Sequence, residues 1–388
     1  MADRRTYESL WVSGTAPAHS NGRVFVGRKG PRPGPGDPVH VAVIDASGEV
    51  TQRVSITPDL PDEAHATPDV VRTPAGYAVA AGPWLARLDT ELAVQSTAKN
   101  PDIEATKHTS LVSLPDGFVA GFTEWLPNAF WTHFVGFDTD GGYRWHHEYN
   151  VNGSQALDFL VPDGDGGALA GGTFPWLAEL DADGTFREVT LPDGLPEGVL
   201  NAGVRDGDGL VLCSGSEMVR LDGSYEIAWS RTFAALADEQ VVELTATSDG
   251  GVLFSTVGSG ENRIVLSKAG TDGTLRWSHG YRLSGAADIH THVLVERAPG
   301  EYILAGGNEQ SREGWMLLLS ESRTPTATST QPVVTYSTAT PTASPPDTIV
   351  NSPPPSTTTA VPGFGAATAV LSVSSAVLWR LVRREDET

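Results

Sequence analysis

Asp208-Gly209-Leu210-Val211-Leu212, Met218-Val219-Arg220-Leu221-Asp222-Gly223 and Ile227-Ala228-Trp229 follow one another closely in this chain. A glycine turn opens on an apolar run. A second apolar run ends in an Asp-containing turn. A third short run carries an aromatic. Asp-Gly and Gly-Gly between apolar runs signal hairpins, because glycine accepts the positive φ that tight turns require.

Working outward, the opening element recurs seven times. The other instances are Asn21-Gly22-Arg23-Val24-Phe25-Val26, Ala75-Gly76-Tyr77-Ala78-Val79, Asp116-Gly117-Phe118-Val119-Ala120, Gly166-Gly167-Ala168-Leu169-Ala170, Gly250-Gly251-Val252-Leu253-Phe254 and Pro299-Gly300-Glu301-Tyr302-Ile303-Leu304. Glycines 22, 76, 117, 167, 209, 251 and 300 mark the repeat, with spacings of 54, 41, 50, 42, 42 and 49 residues. Four short strands fit each unit, the size of a propeller blade. The seventh unit stops at Trp315-Met316-Leu317-Leu318-Leu319 without an aromatic fourth strand, and Arg5-Thr6-Tyr7-Glu8-Ser9-Leu10 resembles the fourth strands of other units. The expected fold is therefore all-β: a seven-bladed β-propeller over residues 5–320, closed by the N-terminal strand. An open β-solenoid or a pair of β-sandwiches is the competing arrangement.

Net charge bounds the function. Asp and Glu number 48 against 26 Lys and Arg, a net charge of −22. Phosphate contacts need clustered cations, so a general nucleic-acid binder is not expected. The lysines are Lys29, Lys99, Lys107 and Lys268 alone. An acidic, lysine-poor surface suits solubility at very high salt, where repulsion is screened over a few ångströms. Cys213, the only cysteine, lies in an apolar run and reads as a buried core thiol.

Histidines are the first candidates for chemistry. His65, His108, His290 and His292 precede the glycine turns of their units, on what should be the innermost strands. Asp158, Asn201 and Glu243 hold roughly corresponding places, so a polar ring around the axis is expected. His290 and His292 have the i, i+2 spacing that places two side chains on one strand face, as some metal sites require. A solvated polar channel is the plainer outcome, and no cofactor is expected. Asp138-x-Asp140-Gly141, Asp163-x-Asp165-Gly166 and Asp181-x-Asp183-Gly184 lack the late Glu of a calcium loop and read as Asx turns. No nucleophile elbow, phosphate loop, dinucleotide fingerprint or His-Glu-x-x-His motif occurs. Asn152-Gly153-Ser154 is an N-glycosylation sequon.

The last part of the chain differs. Residues 321–361 are dominated by Thr, Ser and Pro and cannot bury enough apolar area to order themselves, so they read as a disordered, O-glycosylation-prone stalk. Fully extended, the stalk would reach on the order of 120 Å. Residues 362–388 hold Pro362-Gly363-Phe364, an uncharged apolar stretch through Trp379, and Arg380, Arg383 and Arg384. Phe364 to Trp379 would make a helix of about 24 Å, with its basic end expected in the cytoplasm.

Two resemblances follow from these residues. The glycine-strand, Leu-Asp-x-Asp-Gly and Trp pattern resembles the quinoprotein-like and related propeller repeats of archaeal and bacterial surface proteins, without the His and Trp-Asp signatures of WD repeats. The stalk, Pro362-Gly363-Phe364, apolar segment and arginine cluster resemble the PGF-CTERM sorting signal of haloarchaeal surface proteins. That resemblance implies processing by an archaeosortase at Pro362-Gly363-Phe364 and a membrane or lipid anchor. Met1-Ala2-Asp3-Arg4-Arg5 carries no apolar export region, and Asp3 aligns with the Trp of other fourth strands, so the true start is expected upstream. The expected function is a surface-anchored, extracytoplasmic binding or envelope-interaction module with an unknown surface ligand. The alternative is an extracytoplasmic propeller enzyme of the lyase or quinoprotein kind, with its site in the central channel.

Overall fold

Twenty-eight strands, β1 to β28, build seven four-stranded antiparallel sheets in the computed structural model. It describes residues 3–321, except 8–9, 20–21, 31–35, 61–65, 101–102, 104–108, 127–128, 150–155, 174, 196–199, 234–238, 259–262, 283–288 and 309–311. Among the described residues there is no helix. Apart from Glu321, the expected stalk, sorting motif and apolar segment lie outside them.

Six sheets are consecutive meanders. Their innermost strands are β2 (Trp11–Pro17), β6 (Asp69–Thr73), β10 (Thr109–Leu114), β14 (Leu157–Pro162), β18 (Ala202–Asp206) and β22 (Glu239–Ala246). They head blades 1 to 6. Blade 7 takes β26 (Ile289–Ala298), β27 (Glu301–Asn308) and β28 (Glu313–Ser320), with β1 (Asp3–Tyr7) as its outer strand. The closing register runs from Asp3↔Leu318 to Tyr7↔Gly314. The seven-bladed propeller and its closure by the N-terminal strand are thus as expected. Asp3 takes the place in blade 7 that Trp277 takes in blade 6.

The repeat glycine has a steric cause. A Cβ added at Gly22, Gly76, Gly117, Gly167, Gly209 or Gly251 would come within 3.0 Å of a carbonyl oxygen on the third strand of its own blade. Any other residue there would push the second and third strands apart. Blade 7 departs from the expected register. Gly300 sits in the turn itself, with φ +73, and Glu301 takes the strand position, pairing with Ser320.

Alternate residues of each sheet face opposite neighbours. Seven apolar clusters result, one at each blade-to-blade joint. Val24, Val41, Tyr77 and Trp84 fill the joint between blades 1 and 2. Phe25, Ala42, Ile303 and Met316 fill the one that closes the ring. Cys213 is buried in the joint between blades 5 and 6, and burial pushes its thiol well above the ordinary range, as a core thiol requires.

Each joint also carries an outer hydrogen bond. Gln52 Nε2 donates to Glu91 (3.0 Å), Ser96 Oγ to the Asp140 carbonyl (3.0 Å), and Tyr225 Oη to Glu179 (2.6 Å). Trp145 Nε1 donates to the Ala182 carbonyl (3.2 Å), Trp229 Nε1 to the Thr271 carbonyl (2.9 Å), and Trp277 Nε1 to Glu321 (3.0 Å). At the last joint the donor comes from an innermost strand: Arg297 Nη1 of β26 reaches the Ala46 carbonyl in an outer turn of blade 1 (2.9 Å) and completes the ring. Trp145 and Trp229 lie over Gly184 and Gly273 of the following blade, where a Cβ would meet the indole. The recurrent Trp is therefore a clasp between blades, giving a large contact area and one directed donor. Trp277 shares its acceptor with buried Lys268, whose Nζ reaches Glu321 (3.1 Å) and Asp249 (2.8 Å).

The Asp motifs cap the turns between third and fourth strands. Asp138 Oδ1 accepts from the amides of Asp140 (2.9 Å) and Gly142 (2.7 Å). Asp45, Asp89 and Asp222 repeat this geometry, and Asp163 does so in a first-to-second-strand turn. Asp183 accepts from Thr185 (2.9 Å). These are Asx turns with the carboxylates engaged by backbone.

The glycine argument is testable by two substitutions. Gly207 has φ +62 and nothing within 4 Å of an added Cβ. Gly207→Ala should cost about 1 kcal/mol, the ordinary left-handed penalty. Gly251→Ala, where a Cβ would lie 2.5 Å from the Ala269 carbonyl oxygen, should cost more than about 2 kcal/mol, because the strand pair must separate. Denaturant unfolding decides, and equal losses would contradict the close approach.

Candidate functional site in the axial channel

Seven innermost strands surround the axis, and four of them carry local irregularities. Register shifts occur at Ser13, Asp158, Val242 and His292 in blades 1, 4, 6 and 7. Such a bulge turns the extra residue away from the regular alternation. Asp158 shows the effect: Leu157 and Phe159 on either side are buried, while the Asp158 side chain is turned out of the core and meets Thr173 in the turn after the second strand.

Asp69 and Glu243 hold the same position in blades 2 and 6. Each pairs with the residue four beyond its repeat glycine, Ala80 and Ser255 respectively. Asp69 is fixed by amides: Oδ1 accepts from Val70 (2.8 Å) and Oδ2 from Leu111 of blade 3 (2.9 Å). Gly14 of blade 1 leaves room for this carboxylate, since a Cβ there would strike it. Asp69 was not singled out by the sequence. Blade-to-blade variation in turn length and bulging hides its equivalence to Glu243.

Enclosure by the ring shifts all three acids the same way. Burial pushes Asp69 up to about 7 against the pull of the Leu111 and Val70 amides. Burial pushes Asp158 up to about 7 despite the hydrogen bond from Thr173 Oγ1 (3.0 Å). Burial, and then the negative charge of Asp69, pushes Glu243 up to about 8. The lumen is thus a set of carboxyl groups poised near neutrality, able to hold protons or to ligate a hard cation.

The expected histidine ring is distributed differently. His65 and His108 lie outside the described residues, as does Asn152. His290 and His292 are half-buried with parallel rings 6.0 Å apart. Both rest against buried Trp11, at 5.5 and 6.1 Å. Trp11 occupies the space over Gly307, where a Cβ would meet its ring. This pair therefore packs at the joint that closes the ring. Asn201 Oδ1 accepts from the Gly215 amide (3.0 Å), a contact within blade 5. Among the described residues no three His, Cys, Asp or Glu side chains converge as a metal site would require.

A second titratable cluster, unmarked by any sequence motif, lies on the outer part of blade 3. His133 Nε2 meets Glu124 (3.1 Å) and its Nδ1 meets His146 Nε2 (2.9 Å), with Phe122 stacked on His133. Burial, and then His146, pulls His133 down to about 4. It is a neutral imidazole that links a carboxylate to a second ring.

The geometry defines a seven-bladed propeller with an acidic lumen, and solved structures agree on the fold. YCF48 bound to D1 peptide aligns with a TM-score of 0.53 at 11% identity, over 82% of this chain and 94% of that one. The WD40 β-propeller domain of Doa1 gives 0.51 at 11%, over 82% and 96%. Sqt1 from Chaetomium thermophilum gives 0.50 at 9%, over 82% and 100%. No protein-family model matches the sequence, and no curated relative does. The likeness shows the β-propeller fold.

The acidic lumen sets a pH dependence. Folded Asp158 keeps its proton to about pH 7, whereas the unfolded chain releases it near pH 4. The stability this proton confers is present below about pH 4 and declines as pH rises through about 7. Asp158→Asn cannot titrate. Its stability relative to the parent should therefore rise steadily between about pH 4 and 7 in urea unfolding. A pH-independent difference would contradict the enclosed position.

Proposed function

We propose that this protein is a cell-surface-anchored β-propeller binding module that recognises its ligand on one face of the ring. The observation that carries the reading is the asymmetry of the two faces. In an antiparallel meander, first-to-second and third-to-fourth turns share one face, and second-to-third turns share the other with the blade-to-blade connections. The first face is built mostly from short turns whose Asp side chains are engaged by their own backbone. The second carries the longer connections, at residues 57–68, 100–108 and 189–201. Loops on a rigid scaffold are where propellers and other all-β folds place recognition.

Surface attachment rests on the tail. The Thr/Pro stalk, Pro362-Gly363-Phe364, the apolar segment and Arg380, Arg383 and Arg384 form an ordered series. In this reading an archaeosortase-like enzyme processes the motif, and the stalk holds the propeller away from a membrane or lipid anchor. The net charge of −22 suits an extracytoplasmic, high-salt setting.

Two measurements test the proposal. A photo-crosslinking residue placed at Asp59 or Leu191, on the long-connection face, should capture envelope components on intact cells. The same residue at Ser47 or Ser224, on the short-turn face, should capture little. Adducts confined to Ser47 and Ser224 would overturn the assignment of the face. Mass spectrometry of the C-terminal peptide from membranes should find no chain continuing through Thr388. An intact tail would contradict sorting.

A further inference from the structure

The joint between blades 6 and 7 is lined by Leu253, Leu266, Ile289, Leu294 and Leu304. Two hydroxyls interrupt this apolar surface. Ser255 lies two residues beyond Leu253 on β23 (Val252–Gly258) and pairs with Leu266, so it faces the joint from blade 6. Thr291 lies two residues beyond Ile289 on β26 and pairs with Gly306, so it faces the joint from blade 7. Ser255 is 0% exposed and Thr291 5%. Neither Ser255 Oγ nor Thr291 Oγ1 has a hydrogen-bond partner among the described residues.

Glu243 completes the group. It is the ladder partner of Ser255 and shares its face. Ala305 lies four beyond Glu301, as Ser255 lies four beyond Gly251, and Thr291 pairs with the very next residue, Gly306. The register therefore places the three oxygen-bearing side chains within one ladder step of one another along the inner margin of the joint. A Cβ at Gly306 would strike the His290 carbonyl, so β26 and β27 lie close together beside Thr291.

Buried hydroxyls without partners are rare because desolvation goes uncompensated. A water molecule would satisfy the two hydroxyls but leave Glu243 in need of a proton. A cation would satisfy the hydroxyl lone pairs and the carboxylate charge together. An all-oxygen donor set selects a hard ion, and a single carboxylate balances a single charge. We propose that the inner margin of the joint between blades 6 and 7 binds an alkali cation, Na+ or K+, through Glu243, Ser255 Oγ and Thr291 Oγ1. The site draws its ion from the acidic lumen and ties the last complete meander to the blade that closes the ring.

The test compares thermal unfolding of the full chain in NaCl, KCl and choline chloride at equal ionic strength. The alkali salts should raise the Tm of the parent above that in choline by about 2–4 °C. Ser255→Ala and Glu243→Gln should each reduce that difference to near zero. Ser255→Ala removes only a hydroxyl, so it keeps the test valid if Glu243→Gln fails to fold. Crystals soaked in a thallium(I) salt should show anomalous density between Glu243 and Thr291. The same alkali increment in both variants would overturn the proposal, since it would then arise from the acidic surface. An ordered water at the position without anomalous signal would overturn it too.

Discussion

Everything in this ring depends on one pairing, between a strand from the start of the chain and the last strand of the seventh blade. β28 has β27 on one side and only β1 on the other. Without β1 its outer edge would present unpaired amides and carbonyls, a template for wrong partners. With β1 in place, the seventh blade equals the others and can be gripped from both sides. Trp11, which follows β1 after a short connection, then fills the joint over Gly307 and meets His290 and His292. Closure is therefore made twice, once by backbone and once by packing.

Equal joints follow from equal blades. Each joint combines an apolar cluster with an outer hydrogen bond aimed, at most joints, at the neighbouring short turn. The bond itself is worth only about 1 kcal/mol. Its value is geometric: it fixes how far each blade leans on the next, so that seven such angles close. The same geometry divides the molecule by function. The short-turn face is engaged in its own support. The lumen holds Asp69 and Glu243, close enough for one charge to act on the other, and the opposite face carries the longer connections.

Much of this was legible in the sequence because the fold imposes the same local demand in each unit. Gly22, Gly76, Gly117, Gly167, Gly209 and Gly251 recur because a third-strand carbonyl comes too close for a Cβ. Trp145, Trp229 and Trp277 recur because one position reaches the next blade. The same contact passed unnoticed at Gln52 and Ser96, since any donor of suitable reach can serve there. The lumen was harder to read. Glu243 and Asp158 were found by their distance from the glycine turn, but Asp69 was missed because bulges and turn lengths change that distance. His290 and His292 were correctly placed on an innermost strand. Their packing against Trp11, however, depends on the far end of the chain, which spacing cannot reveal.

Hydrogen exchange in the closing blade tests the account most directly. Arg5 pairs with Met316 at the centre of β1, and Arg5→Pro would break that ladder. Amides of β28 that face β1 should be protected in the parent to the level of global unfolding. In Arg5→Pro they should exchange orders of magnitude faster, while β2–β5 of blade 1, at residues 11–56, keep most of their protection. If those β28 amides exchange as freely in the parent as in the variant, the ring is not closed by its N-terminal strand.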